Sequence, residues 1–217
     1  MKSLLIIITI AELILLSLYP AVGYSIEKTI TPISVIGCSK IQFPDSDKRP
    51  SFILDISNDQ KIEDAWPEDY FILRIYDPLN NETLAETHFH SSYGYFNLEV
   101  FDITGDGIEE FILIQGDGRG TSARQENIIV LQRSGHNLNQ ILKEPISNYY
   151  GTEYKWWYEH KLLLMDSNKT ALRLILKSNT VDKDCSLCSP SLIPGAKIKE
   201  FIYDKNKGVM ALYHISE

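Results

Sequence analysis

The sequence predicts an all-β protein built from four-stranded antiparallel meanders. Three observations carry that expectation. Short runs rich in Ile, Val, Tyr and Phe recur along the chain and are bounded by Gly, Asn, Asp or Pro, the composition of strands and their turns. No 3.6-residue apolar period persists for the dozen or so residues that a stable amphipathic helix wants. Two neighbouring runs, Phe111-Ile112-Leu113-Ile114 and Ile128-Ile129-Val130-Leu131, are apolar at every position. A strand wet on one face alternates, so these two are expected to be covered on both faces.

Length and composition set the bounds. The chain has 217 residues, 44% hydrophobic and 23% charged, which fits one globular domain or two small ones and not a disordered chain. The formal net charge is −8, with acids scattered rather than gathered in a tail. A phosphate backbone needs a basic stripe, and none is visible, so nucleic acid is not an expected partner.

The N-terminal segment, residues 1–23, has the layout of a secretory signal. Lys2 precedes the apolar run Leu4–Leu18, and Pro20 and the small residues Ala21-Val22-Gly23 follow it. The other reading is an uncleaved membrane anchor. A spanning helix wants about 20 apolar residues, and Glu12 near its middle would cost roughly 2.5–3.5 kcal/mol. Either way the chain is expected to be exported, with a periplasmic, cell-surface or secreted location. Val35-Ile36-Gly37-Cys38 also resembles the box at which bacterial lipoproteins are cut and acylated. Here, however, Glu27, Lys28 and a polar stretch separate it from the apolar core. Membrane contact is expected only through such an anchor or lipid.

Residues 24–50 read as an extended lead-in. They hold Pro32, Pro44 and Pro50, the charged run Asp45-Ser46-Asp47-Lys48-Arg49 and only short apolar stretches. The β domain is expected over 51–217. Its candidate strands are Phe52–Ile56, Tyr70–Tyr76, Thr83–Phe89, Phe96–Phe101, Glu110–Gln115, Asn127–Gln132, Leu138–Lys143, Tyr154–Met165, Leu172–Lys177, Lys197–Tyr203 and Val209–Ile215. Asp77-Pro78, Asn80-Asn81, Ser134-Gly135 and the stretch 204–208 supply turns between them. Ala171–Leu176 is open to a helical turn, but Leu172, Leu174 and Leu176 alternate and favour a strand. The runs group into a meander over Phe96–Lys143, a second over Tyr154–Ile215 and a partial one over Phe52–Phe89. Two to three blade-like meanders are too few to close a ring, so a partial propeller or a sandwich is expected.

The strongest local motif is Asp102-Ile103-Thr104-Gly105-Asp106-Gly107-Ile108-Glu109-Glu110. Oxygen-bearing groups at alternate positions converge when the backbone curls tightly, and Gly105 and Gly107 allow the positive φ that such a curl needs. Calcium takes six to eight oxygen ligands and tolerates irregular geometry. The natural set is the carboxylates of Asp102, Asp106 and Glu110, the Thr104 hydroxyl and the Ile108 carbonyl. An EF-hand would need a Glu at the twelfth position, which is Leu113, and flanking helices where strands are expected. Strand–loop–strand with an acid at the ninth position resembles the FG-GAP or VCBS-type calcium loop of integrin-alpha-like propeller blades. That resemblance covers one meander, Phe96 to Lys143. It implies a blade-like fold with a structural calcium between its first two strands, held by Asp102, Thr104, Asp106, Ile108 through its carbonyl, and Glu110. Thr104 stands where Asp or Asn is usual and Glu110 where Asp is usual, and with one charge fewer than a richer loop the affinity is expected in the range of about 10⁻⁴–10⁻³ M. A plain hairpin turn is the competing reading.

Other constellations are weaker. Gly116-Asp117-Gly118-Arg119-Gly120-Thr121-Ser122 lacks the Lys-Ser/Thr ending of a phosphate loop and reads as a hairpin tip. Cys185-Ser186-Leu187-Cys188 lacks the other two ligands a zinc site needs, even with His88 and His90 available, and reads as a local disulfide. Tyr149, Tyr150, Tyr154 and Trp156-Trp157-Tyr158 form either a binding face for protein or glycan or half-buried strand positions. No Gly-x-Ser-x-Gly is present. The sequence therefore points to an exported, calcium-stabilised binding or structural module of the cell envelope, more readily than to an enzyme. The alternative is a secreted hydrolase whose site is dispersed along the chain.

Overall fold

The structure, a computed structural model, describes residues 28–45, 51–61, 66–118, 123–150, 153–165, 169–179 and 196–216. The expected signal segment 1–23, the pair Cys185 and Cys188, and Arg119–Ser122 of the glycine-rich loop lie outside the described residues.

The fold is all-β and nearly all antiparallel. Strands run β1 Lys28–Ile30, β2 Ile33–Ile36, β3 Ser39–Phe43, β4 Phe52–Asn58, β5 Tyr70–Tyr76, β6 Thr83–His90 and β7 Phe96–Phe101. They continue with β8 Glu110–Asp117, β9 Ala123–Ser134, β10 Asn137–Tyr150, β11 Glu153–Leu164, β12 Thr170–Asn179, β13 Ile198–Asp204 and β14 Val209–Ser216. All eleven runs expected as strands match β4 to β14, with only Met165 and Lys197 at their ends falling outside, and the ambiguous Ala171–Leu176 is part of β12.

Pairing organises them into three antiparallel meanders: β3–β6, β7–β10 and β11–β14. They join in one open 14-stranded network. The far end of β10, Ser147–Tyr150, pairs with the start of β11, whereas its first residue, Asn137, makes a single parallel bridge to Glu86 of β6. The long β10 therefore hands the sheet from one meander to the next.

Side chains show how the meanders stack. From the central one, Phe111, Leu113, Ile129 and Leu131 enter a core shared with Leu54, Phe71, Leu73 and Ile75 of the first meander. Ile112, Ile128 and Val130, which point the opposite way because strand side chains alternate, enter a second core with Leu162, Leu172, Leu174 and Phe201 of the last meander. Apolar runs without alternation thus mark a layer buried on both faces, as their sequence implies. Edge-to-face aromatic pairs reinforce the first contact: the Phe71 and Phe96 rings lie 4.8 Å apart at 65°, and Phe89 and Phe96 lie 5.2 Å apart at 84°.

The lead-in contributes strands of its own. Within residues 28–43 lie three paired strands. β1 adds to β11 through Lys28–Ile30, β2 adds to β7, and β3 is the outer strand of the first meander. The reason is twofold. Val35 and Phe43 are apolar and only 2% exposed, and the backbone edges of β7 and β11 need partners that β2 and β1 supply.

Candidate metal centre

The Asp102–Glu110 loop joins β7 to β8, the first two strands of the central meander. Ile103, 2% exposed, pins its start into the second core. From there Asp102 shapes the curl. Its carboxylate accepts the amides of Gly105 at 2.7 Å, Asp106 at 3.2 Å and Gly107 at 3.0 Å. Gly105 and Gly107 take φ of 74° and 86°, the left-handed region that a side chain would strain. Asp106 Oδ1 then accepts the Ile108 amide at 2.8 Å.

Glu110 closes the loop from below. It is 0% exposed, and its Oε2 accepts the amides of Ile103 at 2.8 Å and Thr104 at 3.1 Å. The Thr104 hydroxyl donates to Oε1 at 3.2 Å. Burial pushes the Glu110 carboxyl up to about 7, with the Asp106 and Asp102 carboxylates adding to the rise and the loop amides opposing it. No Lys or Arg occurs within the nine-residue loop to offset its acids.

The sequence-expected ligands are therefore drawn into one loop, but they do not all converge. Asp102, Thr104, Asp106 and Glu110 are linked through loop hydrogen bonds, and the Ile108 side chain points outward at 37% exposure. Among the described residues, no three acidic, histidine or cysteine groups come together closely enough to hold a metal ion. Donor chemistry and curvature suit a hard cation; the side-chain arrangement is that of a loop closed on its own amides. Calcium would have to share carboxylate oxygens that already accept hydrogen bonds.

Two cavities flank this loop. One, of about 580 Å³, runs from Thr104 and Gly105 to Thr170 and the β13–β14 hairpin. The other, of about 620 Å³, runs from Ile108 and Glu109 to Phe52, Leu79 and Arg133. Each cavity draws its walls from at least two of the meanders, so no local motif announces either.

His88 Nδ1 lies 2.7 Å from Asp59 Oδ2, and its Nε2 faces Glu86 Oε1 at 3.5 Å; His90 Nε2 lies 3.9 Å from Asp69 Oδ2. Each histidine thus has its own acid rather than a shared metal position. Ser92 next to them is fully buried and its hydroxyl makes no hydrogen bond to any described residue, so it is not paired with either histidine as a nucleophile with its base. Trp156 and Tyr158 are core residues at 5% and 4% exposure, and only Trp157 of that triplet reaches solvent. Cys38 is an exposed thiol on the β2–β3 turn, held up from its ordinary pKa mainly by desolvation. That shift makes it a poorer nucleophile.

Comparison with protein families, with curated proteins and with solved structures finds no match in any of the three.

Proposed function

We propose that this chain is an exported β protein of the cell envelope, stabilised by calcium at Asp102–Glu110 and acting as a non-enzymatic binding or structural module. The observation that carries the reading is the position of Glu110: a carboxylate without solvent contact, beside Asp102 and Asp106, in a loop with no basic residue. The charges of Asp102, Asp106 and Glu110 in so short a curl repel one another, and a divalent cation would relieve that repulsion. When bound, calcium would supply the positive charge that the loop lacks.

The chain's own residues do the rest. Asp102 holds the amides of residues 105–107 in the curl, and Ile103 anchors it to the core. Fixing the β7–β8 connection fixes the central meander, against which both other meanders pack. The FG-GAP or VCBS-like reading is supported by the loop's place between the first two strands of a four-stranded meander.

Thermal unfolding of the full chain in excess calcium and in chelator, repeated with Asp106→Ala, tests the proposal. A ligand that binds only the folded state adds about 2.7 kcal/mol at a hundredfold its dissociation constant. A calcium-dependent rise in Tm that the variant loses is the expected result. Superimposable curves in calcium and chelator would reduce the loop to a turn.

A further inference from the structure

We propose that the cavity between the Thr104–Gly105 backbone and the β13–β14 hairpin is a binding site for an acidic oligosaccharide, one whose pyranose rings carry carboxylates. This deepens the binding-module reading above and rests on it, but not on calcium.

The size is right for such a ligand. At about 580 Å³ the cavity lies within the range of roughly 300–1,000 Å³ that small-ligand sites occupy. Its walls also have the right chemistry. Tyr213 is 65% exposed and Leu212 53% exposed, large apolar surfaces left in water on β14. A sugar ring presents a flat C–H face that an exposed tyrosine ring covers, removing apolar area from water on both sides. The Thr104 and Thr170 side chains line the same space. The Thr104 hydroxyl gives its proton to Glu110 and keeps only its acceptor side, whereas that of Thr170 can donate and accept, which suits a polyol better than a purely apolar ligand.

Charge selects the acidic member of that class. Lys169 and Lys205 line the cavity and make no ion pair with any described residue, and the one acid in the lining, Asp204, faces Lys207 Nζ at 3.3 Å. Two ammonium groups without an ion-pair partner among the described residues flank one cavity in a chain of net charge −8. An ammonium–carboxylate contact is among the stronger hydrogen bonds available and adds long-range attraction. Two lysines fall far short of the basic stripe that a nucleic-acid strand requires. An acidic peptide added as a strand would use the length of the β14 edge, whereas the cavity meets β14 only at Ala211–Tyr213.

The test is calorimetric titration of the full chain with a hyaluronan hexasaccharide, in calcium and separately in chelator. Chitohexaose serves as the neutral saccharide and hexaglutamate as the acidic peptide. We expect saturable binding of the uronate probe, with Tyr213→Ala and the double change Lys169→Ala, Lys205→Ala each weakening it about tenfold. Chitohexaose should bind about tenfold more weakly than the uronate probe, because it offers no carboxylate to the lysines. These side chains are exposed or at the cavity rim, and unchanged melting curves would show that the variants fold. Absence of saturable binding up to millimolar probe, or binding that neither variant alters, overturns the assignment. Hexaglutamate binding as tightly as the saccharide overturns the ligand class. Calcium stabilisation without saccharide binding sinks this inference and leaves the metal reading standing. Saccharide binding without calcium stabilisation does the reverse.

Discussion

His160 Nε2 on β11 lies 3.0 Å from both carboxylate oxygens of Glu99 on β7, so one side-chain pair bolts the central meander to the last one. Both side chains are mostly buried, at 19% and 12% exposure. Lys199 Nζ on β13 and Glu144 Oε1 on β10, 2.5 Å apart, make a second cross-layer link. A buried acid facing a partner is costly to strand alone. Polar pairs of this kind fix the register between layers that apolar contact by itself leaves free to slide.

The first prediction follows from that geometry. His160→Ala leaves the Glu99 carboxylate without its facing donor and should cost about 1–3 kcal/mol in urea unfolding. With Glu99→Ala as the other edge of a double-mutant cycle, the coupling should fall between about 0.5 and 3 kcal/mol. A coupling indistinguishable from zero would mean the pair does not hold the layers together.

A second prediction concerns the central layer. Ile112 and Leu113 are adjacent, point to opposite faces, and are 0% and 1% exposed. Truncating either to Ala should therefore cost about 2–5 kcal/mol. In a sheet with one wet face, one of two adjacent positions would tolerate the change. Ile114, only partly buried, should lose clearly less. Chemical denaturation of the three single variants checks the order, and a mild effect at either 112 or 113 contradicts a layer covered on both sides.

These same residues show what the sequence made legible. Phe111–Ile114 and Ile128–Leu131 announced two-sided burial because their alternation is missing, and Gly and Asn turns separated the strands cleanly. β1, β2 and β3 were not legible. They are only three to five residues long, and Pro32 separates the first two. What makes β1 and β2 strands is a distant partner, β11 for one and β7 for the other, and no local pattern encodes that. The loop was legible in its residue types and its glycines. Its hydrogen bonds were not, because Glu110 could as well have faced solvent as the amides of Ile103 and Thr104. The cavities left no trace at all, since their walls come from separate parts of the chain.

A third prediction uses the strands the sequence hid. Cleavage before Cys38, as a lipoprotein box would direct, removes β1 and β2 together with the buried Val35. The β7 edge would then lose its antiparallel partner over Asn97–Val100. A chain starting at Cys38 should unfold at lower denaturant than the full chain and self-associate through the bared edge. Equal midpoints and a monomeric profile in sedimentation would show that the two strands are dispensable.

The last prediction turns the Glu110 environment into a pH profile. Its carboxyl is raised from 4.5 in the open chain to about 7 in the fold, first by burial and then by neighbouring carboxylates, against the pull of the loop amides. Between those two values the folded protein holds a proton that the unfolded chain has released. Stability from this group is therefore fully present below about pH 4.5 and lost as pH rises through about 7. The full span corresponds to roughly 3 kcal/mol at most, taking 1.36 kcal/mol per unit. In chelator, urea midpoints should fall from pH 5 to pH 8, and Glu110→Gln should flatten that fall because the amide cannot ionise. Calcium changes the outcome in a way that a plain turn does not. A cation beside the carboxylate favours its ionised form, so in excess calcium the decline should weaken or reverse, and Asp106→Ala should restore it. If the decline is equally steep with and without calcium, Glu110 is only a buried acid holding its loop shut, and the ion has no place there.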